Sequence, residues 1–320
     1  MVIRLKILVL GGGGQVGSHL IPTLMEEGAE VFATYMIRKP QLPVSRSSRL
    51  DKTSNSDVRR LIESVKPQTV IDLAAFNDVE RCETDRKHAR EVNSLGTLYV
   101  ATACNAIGVK MVYVSTDYVF DGKAGNYKET DTANPVNYYG KVKRDGEKAV
   151  IENCNDCIIV RPSVIFTWRC SNEPSDTSSG KAENFANWVY RKLAAGDRIR
   201  GVTDQISSPT LAQDLARNLC RLVMKDSRGV FHVAGNSQLS RYDFAVKIAS
   251  VFNLDASLIE PILSEELRQV APRPHNTSLN VSKIERELGS KPLDVDDALK
   301  VLAKQAQDHL AISSNRPNPD

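Results

Sequence analysis

Four consecutive glycines, Gly11 to Gly14, follow directly on an apolar run at residues 7–10, and a further glycine stands at Gly17. A buried strand that breaks into glycines and then into a helix leaves the backbone few alternatives. The apolar run Ile7, Leu8, Val9, Leu10 is too short for a helix of its own. Over residues 15–27 Leu20, Ile21 and Leu24 recur at helical spacing, and Gly28 stands where such a helix would stop. The same alternation continues. Strands are expected over residues 5–10, 30–35, 69–75, 110–116 and 157–161, and helices over 15–27, 56–65, 85–107 and 137–153, with Ser56 as N-cap of the second. Strands separated by single helices pair in parallel, because the crossover returns each strand in the same direction. The expected fold class is therefore α/β, a doubly wound parallel sheet of the Rossmann kind with a smaller α/β substrate-binding region.

The division expected along the chain is a dinucleotide-binding unit at residues 1–160, to which residues 200–228 return. Residues 161–199 and 229–312 then form the smaller region, and 313–320 a disordered tail. Residues 168–183 are polar and serine-rich and read as a mobile surface loop. Lys and Arg number 42 against 39 Asp and Glu, with no dense basic block, which argues against bulk binding to nucleic acid. No stretch approaches the roughly 20 apolar residues that a bilayer requires. The basic and apolar start of the chain resembles a leader, but the run ends too soon in glycine, and a cytoplasmic protein is expected. Six scattered cysteines suit reduced thiols. Cys154 and Cys157 form the one CxxC, with no second pair to complete a zinc site, so no metal is expected.

A strand-to-helix turn aims the helix's first N–H groups at the sheet's C-terminal edge, and a pyrophosphate docks there where no Cβ intervenes. Gly11 makes the turn, Gly14 permits close approach beside Gln15 and Val16, and Gly17 lets the helix pack on the strand. An acidic residue ending the second strand would bind the ribose 2′-hydroxyl of NAD. Here Arg38 and Lys39 follow instead, which suits a 2′-phosphate, so NADPH is preferred and NADH is the alternative. Asp51 is a candidate partner for the adenine amino group, and Ala74 and Ala75 are small enough for a cofactor to lie across them.

Thr116 ends the strand over 110–116, at the edge where the cofactor is expected. Tyr139 follows 23 residues later, and Lys143 one helical turn beyond it on the same face. An ammonium beside a phenol favours phenolate and lowers the pKa of Tyr139 from about 10. Such a tyrosine can pass a proton to a sugar oxygen as hydride moves at the carbon, with Thr116 holding the same oxygen. A second YxxxK, from Tyr35 to Lys39, falls in the expected adenosine loop and is read as coincidence.

The glycine turn, Thr116 and the Tyr139/Lys143 pair together resemble the extended short-chain dehydrogenase/reductase superfamily. Residues 115–122 (Ser-Thr-Asp-Tyr-Val-Phe-Asp-Gly), 139–143 (Tyr-Gly-Lys-Val-Lys), 204–210 (Asp-Gln-Ile-Ser-Ser-Pro-Thr) and the pair Arg273, Pro274 are similar to the dTDP-4-dehydrorhamnose reductase family. The resemblance implies reduction of a 4-keto nucleotide sugar by NADPH, giving dTDP-L-rhamnose, with Thr116, Tyr139 and Lys143 catalytic. It also implies that Asn77, Val79, Asp117 and Tyr118 line the sugar pocket, with Arg273 and Asn276 near the nucleotide. A homodimer is implied by resemblance alone. The family's usual tryptophan after the strand at 157–161 is replaced by Val164, with Phe166 and Trp168 as candidate substitutes. Two alternatives stand beside this reading. A nucleotide-sugar epimerase or dehydratase on the same scaffold is one. A dehydratase would carry glutamate where Tyr118 stands. A non-catalytic NADP-binding subunit, resembling the β subunit of methionine adenosyltransferase, is the other.

Overall fold

The computed structural model describes residues 4–168 and 183–314. The segment expected as a mobile loop lies outside the described residues except for Trp168 and Glu183, and the expected disordered tail lies outside them from residue 315 on.

The seven strands of the main sheet are β1 (Lys6–Leu10), β2 (Glu30–Tyr35), β3 (Ser47–Arg49), β4 (Thr69–Asp72), β5 (Lys110–Val114), β6 (Cys157–Arg161) and β7 (Gly229–His232). All pairings are parallel, in the spatial order β7-β6-β5-β4-β1-β2-β3. The chain runs outward from β1 to β3, then crosses back and runs outward from β4 to β7. The order thus reverses between β1 and β4, and a crevice opens there at the strands' C-terminal ends. Thr69, Val70, Ile71 and Asp72 are all buried, as a central strand covered on both faces requires.

Helices α1 (Gly17–Glu26) and α2 (Asn55–Val65) cover opposite faces. Leu20, Ile21 and Leu24 of α1 pack into one face, and Val58 and Ile62 of α2 into the other. Burying each such side chain stabilises the fold by roughly 1.5–3 kcal/mol. The cap of α2 is Ser54, which accepts from Asp57 N at 3.4 Å. Ser56, expected in that role, is the second residue of the helix, because Ser54 two residues earlier already caps it.

The long helix expected over 85–107 is broken. A short helix α3 (Val79–Thr84) precedes α4 (Arg86–Arg90), a single π-helical turn follows (Glu91–Leu95), and α5 (Gly96–Ala106) completes the crossover. The π turn carries the buried Asn93, whose amide accepts from Phe76 N at 3.0 Å and donates to Phe76 O at 2.8 Å. It fixes the loop that leaves β4. Extra residues in one helical turn commonly serve such a placement.

Helix α6 (Tyr138–Asn153) starts at Asn137, which accepts from Gly140 N at 2.8 Å and donates to Pro272 O at 3.0 Å. Arg161 on β6 grips Glu147 of α6 with two bonds of 2.8 Å, both groups buried. The smaller region is built from α7 (Phe185–Ala194), α9 (Arg241–Val251) and α11 (Val295–Ser314) around Phe166, Val189, Phe244, Ile248 and Leu299, with a parallel strand pair, Ile199–Val202 on Ile259–Ile262. Between them in the chain, α8 (Ala212–Met224) packs beside α1, and α10 (Ser282–Leu288) joins the same face.

Here the structure departs from the expected division. Gly229–His232, assigned to the smaller region, is the edge strand of the main sheet, whereas Ile199–Val202, mostly assigned to the sheet, belongs with the smaller region. Short strands of this kind pair through backbone groups, and their side-chain pattern does not name the partner. Among the described residues no helix is long and apolar enough to cross a membrane. No group of three or more His, Cys, Asp or Glu among them could hold a metal ion.

Candidate active site

A cleft of about 1010 Å³ runs across the C-terminal ends of β1, β2, β4, β5 and β6 and continues into the smaller region. Gly11, Gly14, Gln15, Val16 and Gly17 line its first arm. A Cβ on Gly14 would meet only the Gly11 carbonyl oxygen, at 3.2 Å, and otherwise stand in the cleft. A Cβ on Gly13 would lie 1.8 Å from the Arg38 carbonyl oxygen, so the loop after β2 closes on the turn. No described side chain caps α1, so the positive end of its dipole faces the cleft. These features fit a dinucleotide pyrophosphate.

Arg38, Asp51, Ala74 and Ala75 line the same arm, together with Tyr35, Met36 and Ile37. Lys39 does not. The Arg38 backbone lies on Gly13 and the buried Pro40 packs beside Gly12, which turns the residue between them to solvent. Asp51 has part of its capacity committed, since one carboxylate oxygen accepts from Thr53 N at 2.9 Å and Thr53 Oγ1 at 2.7 Å.

Thr116, just past the end of β5, and Tyr139 and Lys143, one turn apart in the first half of α6, all line the cleft. The Thr116 hydroxyl stands near enough to Tyr139 to oppose the rise in its pKa. Thr116 Oγ1 donates to Asp117 Oδ1 at 3.1 Å and accepts from Tyr118 N at 3.2 Å. Asp117 is buried and also accepts from Ser163 Oγ at 2.7 Å and Thr277 Oγ1 at 2.6 Å. Burial still raises its pKa despite these three hydroxyls. Asp117 therefore ties β5, the segment after β6 and the C-terminal part of the chain into one site, besides facing the pocket.

The expected tuning of Tyr139 by Lys143 differs in the structure. Burial pushes the phenol well above its usual range, with the nearby Cys82 adding to the rise and the Thr116 hydroxyl opposing it. Burial also pulls Lys143 down to about 7, helped by the charge of Lys52 and opposed by Asp72 and Glu147. The Lys143 ammonium donates to Val114 O at 2.8 Å and stands 4.2 Å over the Tyr113 ring, which directs it to β5. Desolvation outweighs the attraction that helical spacing alone suggests. Both shifts disfavour the charged form of each group.

Asn77, Val79, Tyr118 and Arg273 line the cleft, but Asn276 does not. Its amide oxygen accepts from Ser278 N and Oγ at 3.1 and 2.7 Å and builds a turn. Val164 lines the pocket at φ +40°, a strained value for a β-branched residue. Neither expected substitute for the tryptophan reaches the pocket. Phe166 is in the core of the smaller region, and Trp168 packs on Tyr190 and Phe252.

Sequence reasoning missed Phe185 and Trp188 of α7, Lys192, Arg198, Arg200 and Arg241, which line the second arm. Arg241 sits 5.1 Å over the Phe185 ring. Aromatic faces and several cations suit a nucleoside diphosphate. The available signal was an amphipathic stretch and lone arginines, which do not announce a pocket. Ser115 was also missed. It lines the cleft with a buried hydroxyl that has no partner among the described residues.

A dinucleotide cradle leading to a Thr–Tyr–Lys set at the strand ends defines an oxidoreductase of the extended short-chain dehydrogenase/reductase class. The chain belongs to the RmlD substrate binding domain family, whose model matches residues 5–307. It is 34% identical to a probable low-salt glycan biosynthesis reductase of Haloferax volcanii over 94% of this chain and 98% of that one. It is 32% identical to dTDP-4-dehydrorhamnose reductase of Aggregatibacter actinomycetemcomitans, over 94% and 99%. Among solved structures, dTDP-4-dehydrorhamnose reductase of Bacillus anthracis in complex with NADP superposes with a TM-score of 0.83 at 28% identity, covering 95% of this chain and 100% of that one.

Proposed function

We propose that this chain reduces a 4-keto nucleotide sugar, with dTDP-4-dehydrorhamnose to dTDP-L-rhamnose as its reaction. In keeping with its family, it is an NADP-dependent oxidoreductase. The observation that carries the reading is that Thr116, Tyr139 and Lys143 line the same cleft as the glycine turn.

NADPH supplies the hydride when bound. The glycine turn would hold its pyrophosphate, Arg38 its 2′-phosphate, and Ala74 and Ala75 the surface across which it lies. The residues of the chain do the rest. Arg241, Arg200 and Lys192 neutralise the diphosphate of the substrate, and Phe185 and Trp188 offer faces to its base. Tyr139, kept neutral by burial, gives its proton to the C4 oxygen as negative charge develops there. Thr116 holds that oxygen, and Lys143 stabilises the resulting phenolate until solvent returns the proton.

The dehydratase alternative lacks its glutamate, since Tyr118 follows Asp117. The non-catalytic alternative leaves unexplained a phenol, an ammonium and a hydroxyl kept together at the cost of desolvation. Turnover decides between them. The protein is expected to oxidise NADPH in the presence of dTDP-4-dehydrorhamnose. Tyr139→Phe is expected to lose about 10²–10⁴-fold in kcat while binding NADPH as before. Absence of turnover with this substrate, or equal turnover by Tyr139→Phe, refutes the proposal.

A further inference from the structure

The second buried ammonium of the cleft is Lys52, in the connection from β3 to α2, with its side chain 5% exposed. A lysine is buried at least cost where its charge and its protons find partners. Lys52 Nζ donates to Asp72 Oδ2 at 2.6 Å, Ala74 O at 2.9 Å and Thr97 Oγ1 at 3.2 Å. Its stem is accommodated by Gly96 of α5, where a Cβ would come within 3.0 Å of Lys52 Cε and of the Lys52 carbonyl oxygen. The other carboxylate oxygen of Asp72 accepts from Ala74 N at 3.1 Å. Both backbone groups of Ala74 are thus held by one ion pair, at the wall where the cofactor is read to lie.

The same pair stands next to Lys143. Asp72 of β4 and Tyr113 of β5 are register partners, so their side chains share one face of the sheet. Asp72 carries the ammonium of Lys52, and the ring of Tyr113 lies under the ammonium of Lys143. Two cations therefore flank two neighbouring strand ends, with the buried Asp72 carboxylate acting on both and the backbone of Ala74 beside it.

We propose that Lys52 is a positioning residue of the reduction: paired with Asp72, it fixes the Ala74 peptide on the cofactor floor and sets the field in which Lys143 works. The proposal rests on the reading of Lys143 as part of the catalytic set. The groups facing Lys143 are Lys52 from the β3–α2 connection, Asp72 from β4, Cys82 from α3, Tyr113 from β5 and Glu147 from α6, with Tyr139 one helical turn before it on α6. Burial pushes Cys82 up to about 12 and Tyr113 and Tyr139 well above their usual range, so these three are neutral near pH 7. Glu147 is gripped by Arg161. Lys52 and Asp72 are left as the pair whose charges act on Lys143 in opposite senses.

The consequence is a pair of opposed shifts. Turnover falls at alkaline pH as Lys143 loses its proton, because the neutral amine no longer stabilises the phenolate. Lys52→Met removes the repelling cation and moves that alkaline limb up by about one pH unit, whereas Asp72→Asn moves it down by a similar amount. Lys52→Arg keeps the charge, so its limb stays within a few tenths of the parent's even if the longer, planar head disturbs Ala74. Lys52→Met also weakens NADPH binding about tenfold, through the freed Ala74 peptide.

The experiment measures kcat/KM for reduction and NADPH affinity by fluorescence, both against pH, for Lys52→Met, Lys52→Arg, Asp72→Asn and Lys143→Met. Opposed limb shifts with an unmoved limb in Lys52→Arg support the proposal. Limbs that stay put, or that move the same way in Lys52→Met and Asp72→Asn, overturn it, since a purely structural pair lowers activity without such a signature. If one of the two single variants fails to fold, the other carries the test beside Lys52→Arg: a limb that moves in the stated direction supports the proposal, and a limb that stays put or moves the other way overturns it. Full turnover by Lys143→Met would instead sink the reductase reading, and this inference with it. A dead Lys143→Met with unmoved limbs sinks the inference alone.

Discussion

Replacing Lys143 by methionine is expected to make the protein more stable at pH 7 while removing its activity. The ammonium is buried and its pKa falls from the ordinary lysine value of 10.5 to about 7. At about 1.4 kcal/mol per tenfold change in acidity, the folded state bears a cost on the order of 4–5 kcal/mol at neutral pH. Methionine escapes that cost and fills similar volume. It forfeits the charged hydrogen bond to Val114 O, worth about 1.5–3 kcal/mol, and the contact with the Tyr113 ring. The net gain is on the order of 1 kcal/mol. The sign of the pH dependence follows from linkage. Between pH 7 and 10.5 the unfolded chain binds a proton at Lys143 that the folded chain does not, so parent stability from this group rises with pH across that window. Above it the cost has vanished, and below pH 7 it is fully present. The advantage of Lys143→Met should therefore be largest at and below pH 7 and shrink toward pH 10. Chemical and thermal denaturation of both proteins from pH 6 to pH 10 measures it. A variant less stable than the parent at pH 7, or a difference that does not change with pH, refutes the reasoning that the enzyme keeps a costly buried cation for its chemistry.

Other outcomes follow from single contacts. Arg38→Met should weaken NADPH binding about 10–100-fold, the worth of a charge-assisted phosphate contact, and leave NADH binding unchanged, as read by fluorescence titration. Gly13→Ala puts a methyl 1.8 Å from the Arg38 carbonyl oxygen, so the loop must shift and both cofactors should bind at least tenfold more weakly in the same titration. Asp117→Ala strands the hydroxyls of Thr116, Ser163 and Thr277, and a loss of about 2–5 kcal/mol is expected in denaturation.

Much of the cofactor arm was legible in order along the chain. The turn from Gly11 to Gly17 is local, and its demands are steric, so residue type and position suffice. Thr116, Tyr139 and Lys143 were legible because a strand end and one helical turn place them without knowledge of the rest. The second arm was not. Trp188, Arg200 and Arg241 come from α7, a short strand and α9, and nothing local says that these elements face β6 across a cleft. Lys39 and Asn276 show the converse error. Both stand beside functional segments in sequence, yet one is turned out by Pro40 and the other is used up in a turn.

What the sequence determined by itself is the periodic alternation that yields parallel strands, the bare backbone at the turn, and the one-turn spacing of Tyr139 and Lys143, since each depends on neighbours within a few residues. What only the tertiary structure decided is how the acidity of those groups shifts. The Tyr139 phenol is pushed up and the Lys143 ammonium down because β4, β5, α3 and the β3–α2 connection close over them and exclude water. Desolvation and the reach of Lys52 and Asp72 depend on distances between segments far apart in the chain, and spacing along it carries no record of them.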